Sequence, residues 1–174
     1  MRIKSISILI VITILISTPL GCGYKLMGRG GEFPDEITSL AIGPLENKTK
    51  EANLSAIFVS ALRREFIYRH EVKIVSEQKA EATLQGTITS ITVRSLAYDE
   101  EARVSEYRAT VTLDLLLVHR ENNEIIWQGN DITGSEEYFA SSDVMVEEGR
   151  KNAAIRVIAD DLAETIYIKI KERF

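Results

Sequence analysis

The sequence predicts an α+β fold, a two-layer sandwich in which a mixed or antiparallel sheet of about four strands packs against two helices. Three patterns carry that expectation. Residues 103–119 alternate apolar and polar side chains with a period of two, as a half-buried strand does. Residues 51–69 and 142–171 carry apolar side chains every third or fourth position, as amphipathic helices do. The segments between them are β-rich and separated by short polar turns. At 174 residues, 45% of them hydrophobic, the chain suits one domain of ordinary size and is too short for two large ones.

The elements follow in chain order. Residues 37–42, Ile-Thr-Ser-Leu-Ala-Ile, read as a short strand that Gly43-Pro44 stops. A loop over Glu46-Asn47-Lys48-Thr49 leads to the first helix, about 51–69, where Leu54, Ile57, Phe58, Ala61, Leu62 and Phe66 share one face. Val72 to Val75 is a brief second strand. Residues 82–98 form a long β-rich run. Leu84 and Ile88 share one parity while Ile91 and Val93 take the other, so a bulge is expected near Thr89-Ser90. Gly86 marks a place where a neighbouring backbone or ring approaches closely.

Asp99-Glu100-Glu101-Ala102 turns the chain into the strand 103–119. There Tyr107, Ala109, Val111, Leu113, Leu115 and Leu117 face the core, and Glu106, Arg108, Thr110, Thr112 and Asp114 face away. Glu121-Asn122-Asn123-Glu124 turns it again into a strand of about 124–134 containing Trp127. Ser141-Ser142 fit the N-cap of the last helix. Ile155, Ile158, Ala159, Leu162, Ile166 and Ile170 make its buried stripe, and Lys169, Lys171 and Arg173 complement the dipole at its end.

The start of the chain has a different character. Arg2 and Lys4 precede an apolar run from Ile6 to Ile16, and small residues follow up to the only cysteine, Cys22. A basic start, a short apolar middle and small residues are the three parts of a secretory signal, and the run is too short to span a bilayer comfortably. The tetrad Pro19-Leu20-Gly21-Cys22 resembles a bacterial lipobox, although Pro19 stands where Leu is usual. The expected organisation is a signal peptide over 1–21, a lipidated Cys22 with a glycine-rich leash through residue 36, and one α+β domain over 37–174. Acyl chains at about 0.8 kcal/mol per buried methylene would hold such a protein on a membrane.

Removing residues 1–21 leaves 19 basic against 26 acidic side chains, a net charge of −7. A domain this acidic lacks the basic footprint of a nucleic-acid binder. One Cys and two His cannot build a Cys₄ or Cys₂His₂ zinc site. His70 and His119 stand at element ends away from any paired acid motif, and G-x-S-x-G, S-x-x-K, H-E-x-x-H and P-loop motifs are missing. The chain is therefore expected to be no enzyme, with no catalytic residues, no metal and no cofactor. Asp99-Glu100-Glu101 reads as a solvated hairpin tip, because EF-hand spacing is absent. Arg94, Arg103 and Arg108 cluster around one hairpin. Their guanidinium groups suit phosphate on a ligand, or cross-strand pairing with Glu101 or Glu106.

Five segments in order resemble one family. Cys22-Gly23-Tyr24-Lys25-Leu26-Met27-Gly28 resembles the C-G-Y-x-L-x-G opening of the LptE family, the lipopolysaccharide-assembly lipoproteins. Ser39 to Thr49 is similar to that family's first strand and Asn-x-Thr loop, and Leu84-Gln85-Gly86-Thr87-Ile88 to its L-x-G-x-I strand. Glu106-Tyr107-Arg108 and Glu137-Tyr138 follow in the family's order. The resemblance implies a lipoprotein on the periplasmic side of the outer membrane; Gly23, where Asp would favour the inner membrane, agrees. It implies a plug inside the β-barrel LptD that supports barrel assembly and lipopolysaccharide delivery. Arg94, Arg103 and Arg108 are then the candidate contacts with lipopolysaccharide or the barrel. The stretch Ala41 to Thr49 is also similar to lipoproteins that activate cell-wall synthases or serve curli secretion, so a periplasmic regulatory lipoprotein is the alternative.

Overall fold

A computed structural model describes residues 37–173. The signal peptide, Cys22 and the leash expected through residue 36 lie outside the described residues. The elements are β1 (Ser39–Asn47), α1 (Leu54–Arg69), β2 (Lys73–Ile74), a 3₁₀ turn (Glu77–Lys79), β3 (Ala82–Tyr98), β4 (Val104–His119), β5 (Ile125–Phe139) and α2 (Val144–Lys171). The sheet has five strands in the order β2-β1-β3-β4-β5, one more than about four, because the two-residue β2 adds an edge. β1 runs parallel to both neighbours, and β3, β4 and β5 form an antiparallel meander.

The helices cover one face of this sheet. Leu54, Phe58, Ala61, Leu62 and Phe66 of α1 are buried, as are Ile155, Ile158, Ala159, Leu162, Ile166 and Ile170 of α2. They meet Leu40, Ile42, Leu84, Ile88 and the odd-numbered residues Ala109 to Leu117 of β4 in a single apolar core. Trp127 belongs to that core. Gly86 is the expected close approach. A Cβ there would lie 2.9 Å from the Leu115 Cα and nearer still to the Asp114 carbonyl oxygen. The expected bulge is present, with a register shift between Ile88 and Ser90 against β4.

Four sequence expectations change. β1 does not stop at Gly43-Pro44. Its pairing with β3 shifts between Ile42 and Leu45, and this irregularity absorbs the residue that has no N–H to give. α1 begins at Leu54, after a left-handed Asn53 (φ 64°). β5 continues five residues past 134 to Phe139, its polar residues being the open face of a two-sided strand. The N-cap of α2 is Asp143, not Ser141 or Ser142. The Asp143 carboxylate accepts from the N–H groups of Met145 (2.8 Å) and Val146 (3.3 Å), while the Ser141 hydroxyl accepts from Asp143 N–H. A charged acceptor at the positive helix end is favoured over a hydroxyl in the same reach.

Two turns set the sheet's ends. At the β3–β4 tip, Asp99 accepts from the N–H groups of Glu101 (3.0 Å) and Arg103 (2.9 Å), and Ala102 takes a left-handed φ of 59°. These N–H bonds, led by that of Arg103, hold the Asp99 carboxyl below its ordinary pKa. At the opposite end, Asn123 has φ 55° and His119 N–H donates to the Glu124 carbonyl. The chain enters the domain at this second end, where Thr38 precedes β1 and Ser39 begins it.

Candidate functional site

The face of β3, β4 and β5 turned away from the helices is not covered by any described element. Residues paired across neighbouring strands point to the same side, so the register lays this face out as rows. Ser90, Thr112 and Thr133 form one row, and Thr92, Thr110 and Ser135 the next. The Thr112 and Thr133 hydroxyls lie 3.3 Å apart. Arg94, Arg108 and Glu137 form the third row. Beyond it stand Ala97, Glu106 and Phe139, then Tyr98 and Val104 beside the hairpin tip.

The three arginines singled out in the sequence are placed differently. Arg94 and Arg108 sit directly opposite each other. Arg108 pairs with Glu137, its Nε 3.2 Å from the carboxylate, and not with Glu106. Arg94 has no acidic partner among the described residues, and its side chain is exposed. Arg103 lies at the tip, 2.9 Å from both Asp99 and Glu101, so its positive charge is largely balanced there.

The face is graded along its length. Hydroxyl rows occupy the middle, guanidinium groups follow, and apolar side chains gather at the tip. Tyr98 (63% exposed), Phe139 (67%) and Met145 (85%) lie at this end, with Val144 and Val146 in the first turn of α2. Folded soluble surfaces seldom carry a group of exposed large apolar residues without a partner. Sequence reasoning missed this tip because Tyr98, Phe139 and Val144 to Val146 come from three elements. It also missed the hydroxyl rows, although the alternating Thr110 and Thr112 were a signal for them.

The groups on this surface are hydrogen-bond donors and acceptors. A phosphate or carboxylate can receive paired N–H donors from Arg94, and hydroxyl rows can bond to sugar or amide groups. His70 caps the end of α1 with φ 57°, and His119 ends β4 with its Nδ1 accepting from Glu121 N–H. Among the described residues no three His, Cys, Asp or Glu side chains gather in a metal-binding group. Among the same residues no helix is long and apolar enough to cross a membrane.

Comparison with known proteins gives this surface a context. No curated protein sequence matches the chain. Its fold is similar to that of an uncharacterized lipoprotein B from Nitrosomonas europaea, with TM-score 0.52 and 19% identity over 86% of this chain and 90% of that one. It is also similar to a putative lipoprotein from Caulobacter crescentus, with TM-score 0.51 and 14% identity over 73% of this chain and 87% of that one. A hypothetical protein from Chlamydia trachomatis matches with TM-score 0.51 and 12% identity over 76% of this chain and 95% of that one. At these identities the likeness is one of fold alone. The family model described as LptE, lipopolysaccharide-assembly, matches residues 37–170, nearly the whole described domain. The chain belongs to the LptE family of lipopolysaccharide-assembly proteins.

Proposed function

We propose that this chain is an outer-membrane lipoprotein, anchored through Cys22 on the periplasmic side. There it plugs and supports assembly of the LptD barrel and assists lipopolysaccharide delivery to the outer leaflet. The family membership supports this reading. The observation that carries the lipopolysaccharide contact is the unpaired Arg94 facing Arg108 on the open sheet face. Lipid A carries phosphates, sugars and acyl chains. The hydroxyl rows, the guanidinium row and the apolar tip offer groups complementary to its sugars, phosphates and acyl chains respectively. Arg103, in the hairpin turn beyond these rows, is the third contact of this site, weakened by Asp99 and Glu101. The protein acts by binding and scaffolding, without catalysis.

Binding of purified lipopolysaccharide to the Arg94→Ala/Arg108→Ala double variant tests the site. A loss of about tenfold or more is expected, since charge-assisted hydrogen bonds are worth about 1.5–3 kcal/mol each. Unchanged binding would reject these residues as the contact. Globomycin-sensitive processing of the wild-type chain tests the anchor at Cys22.

A further inference from the structure

The end of the fold where the chain enters carries a second polar site. A cavity of about 290 Å³ is lined by Lys79, Glu81, His119, Arg120 and Glu121. Several other cations of the domain, Arg64, Arg69, Arg108, Lys151 and Lys171 among them, are paired with carboxylates. Lys79 and Arg120 have no acidic partner among the described residues. Of the two acids that line the site, Glu81 is already engaged. Glu81 accepts from Thr38 N–H at 2.6 Å, from Ser39 N–H at 3.1 Å and from the Thr38 hydroxyl at 3.1 Å. His119 accepts on Nδ1 from Glu121 N–H, which leaves Nε2–H as the donor of the neutral ring. The Arg120 main chain is held beside Glu81, because its backbone N–H donates to the Glu81 carbonyl at 2.8 Å, and its side chain is exposed.

The same Glu81 therefore ties the start of the folded domain to the floor of this cavity. The leash expected over residues 22–36 joins that point to the lipid on Cys22. Fifteen residues, 22–36, separate Cys22 from that point, so the covalent length of the chain keeps the two within about 50 Å of each other. An anchored domain would thus hold Lys79 and Arg120 close to the headgroups of the bilayer in which it is anchored.

We infer that Lys79, His119 and Arg120 form a binding site for the phosphate of an anionic phospholipid headgroup, distinct from the Arg94–Arg108 surface at the other end of the sheet. The inference rests on the anchoring at Cys22 for its orientation, not for its chemistry. A headgroup seated there fixes the tilt of the domain relative to the membrane. Each basic residue near an anionic bilayer contributes about fivefold in binding, so the two cations together contribute about 25-fold.

The test uses the mature chain carrying Cys22→Ser, which has no lipid and so reads the site independently of the anchor. Vesicles of phosphatidylcholine alone are compared with vesicles containing phosphatidylglycerol. Sedimentation with the anionic vesicles is expected, and Lys79→Ala/Arg120→Ala is expected to weaken it about 25-fold. Arg156→Ala, which removes a cation from the helix face, is expected to leave it unchanged. Equal losses in both variants would show general charge attraction and overturn the site. So would undiminished sedimentation of the double variant. Inorganic phosphate supplies the other arm. If millimolar phosphate shifts the His119 resonances while anionic vesicles do not bind, the ligand is free phosphate and the headgroup assignment fails. Failure of globomycin-sensitive processing would remove the anchor and leave these vesicle results standing.

Discussion

Arg94 and Arg108 face each other across the β3–β4 ladder, and Glu137 on β5 balances only the second. Like charges directly opposite in a sheet destabilise it. The proposed lipopolysaccharide contact gives the unbalanced guanidinium of Arg94 a partner on this open face. Substituting Arg94 should therefore separate stability from recognition. Arg94→Glu is expected to raise stability in urea by about 0.5–1 kcal/mol by pairing with Arg108. The same variant should lose lipopolysaccharide binding. Lower stability together with intact binding would contradict the assignment.

Two glycines should respond in opposite directions. At Gly86 an added Cβ would meet the backbone of Asp114 and Leu115, which cannot move aside as a side-chain end can. Gly86→Ala is expected to cost about 3 kcal/mol or more and to lower Tm by many degrees. Gly149 lies in α2 with nothing within 4 Å of the added atom. Gly149→Ala is expected to gain about 0.8–1 kcal/mol from helix propensity. Thermal unfolding of both variants checks the pair.

The first turn of α2 depends on Asp143. Asp143→Ala removes the acceptor for Met145 and Val146 N–H and should cost about 1 kcal/mol. Ser142→Ala should change stability by less than about 0.5 kcal/mol, as at an ordinary surface position. Chemical denaturation distinguishes the two.

Acid should loosen the start of the domain. The N–H of Thr38, its hydroxyl and the N–H of Ser39 hold the Glu81 carboxyl below its ordinary pKa, against a small opposing effect of burial. The folded state thus favours the ionised form. Its contribution is complete above the unfolded value, about 4.3, and is lost as pH falls through the lower folded value. Hydrogen exchange at Thr38 and Ser39 is expected to rise below about pH 4. Glu81→Gln should show fast exchange there at all pH values. Identical pH profiles for the two proteins would refute the role given to Glu81.

Most of the architecture was legible because its periods are clean. Tyr107 to Leu117 alternate without a break, and the stripes of α1 and α2 recur at helical spacing, so pattern alone located them. The errors fell where tertiary pairing outweighs local signals. Pro44 reads as a stop, yet a shifted register carries β1 past it. Glu136 and Glu137 read as loop, yet both pair with β4. The site was half legible. Strand adjacency across a short turn placed Arg94 and Arg108 around one hairpin, but their direct pairing, the partner Glu137 and the apolar tip required the strands and α2 to be placed in space.

The central claim is tested most directly by isolating the tagged protein from outer membranes in mild detergent and identifying what accompanies it. The account predicts co-purification of the LptD β-barrel together with lipopolysaccharide. Recovery of a peptidoglycan synthase without the barrel would contradict it and favour a regulatory lipoprotein of the cell wall.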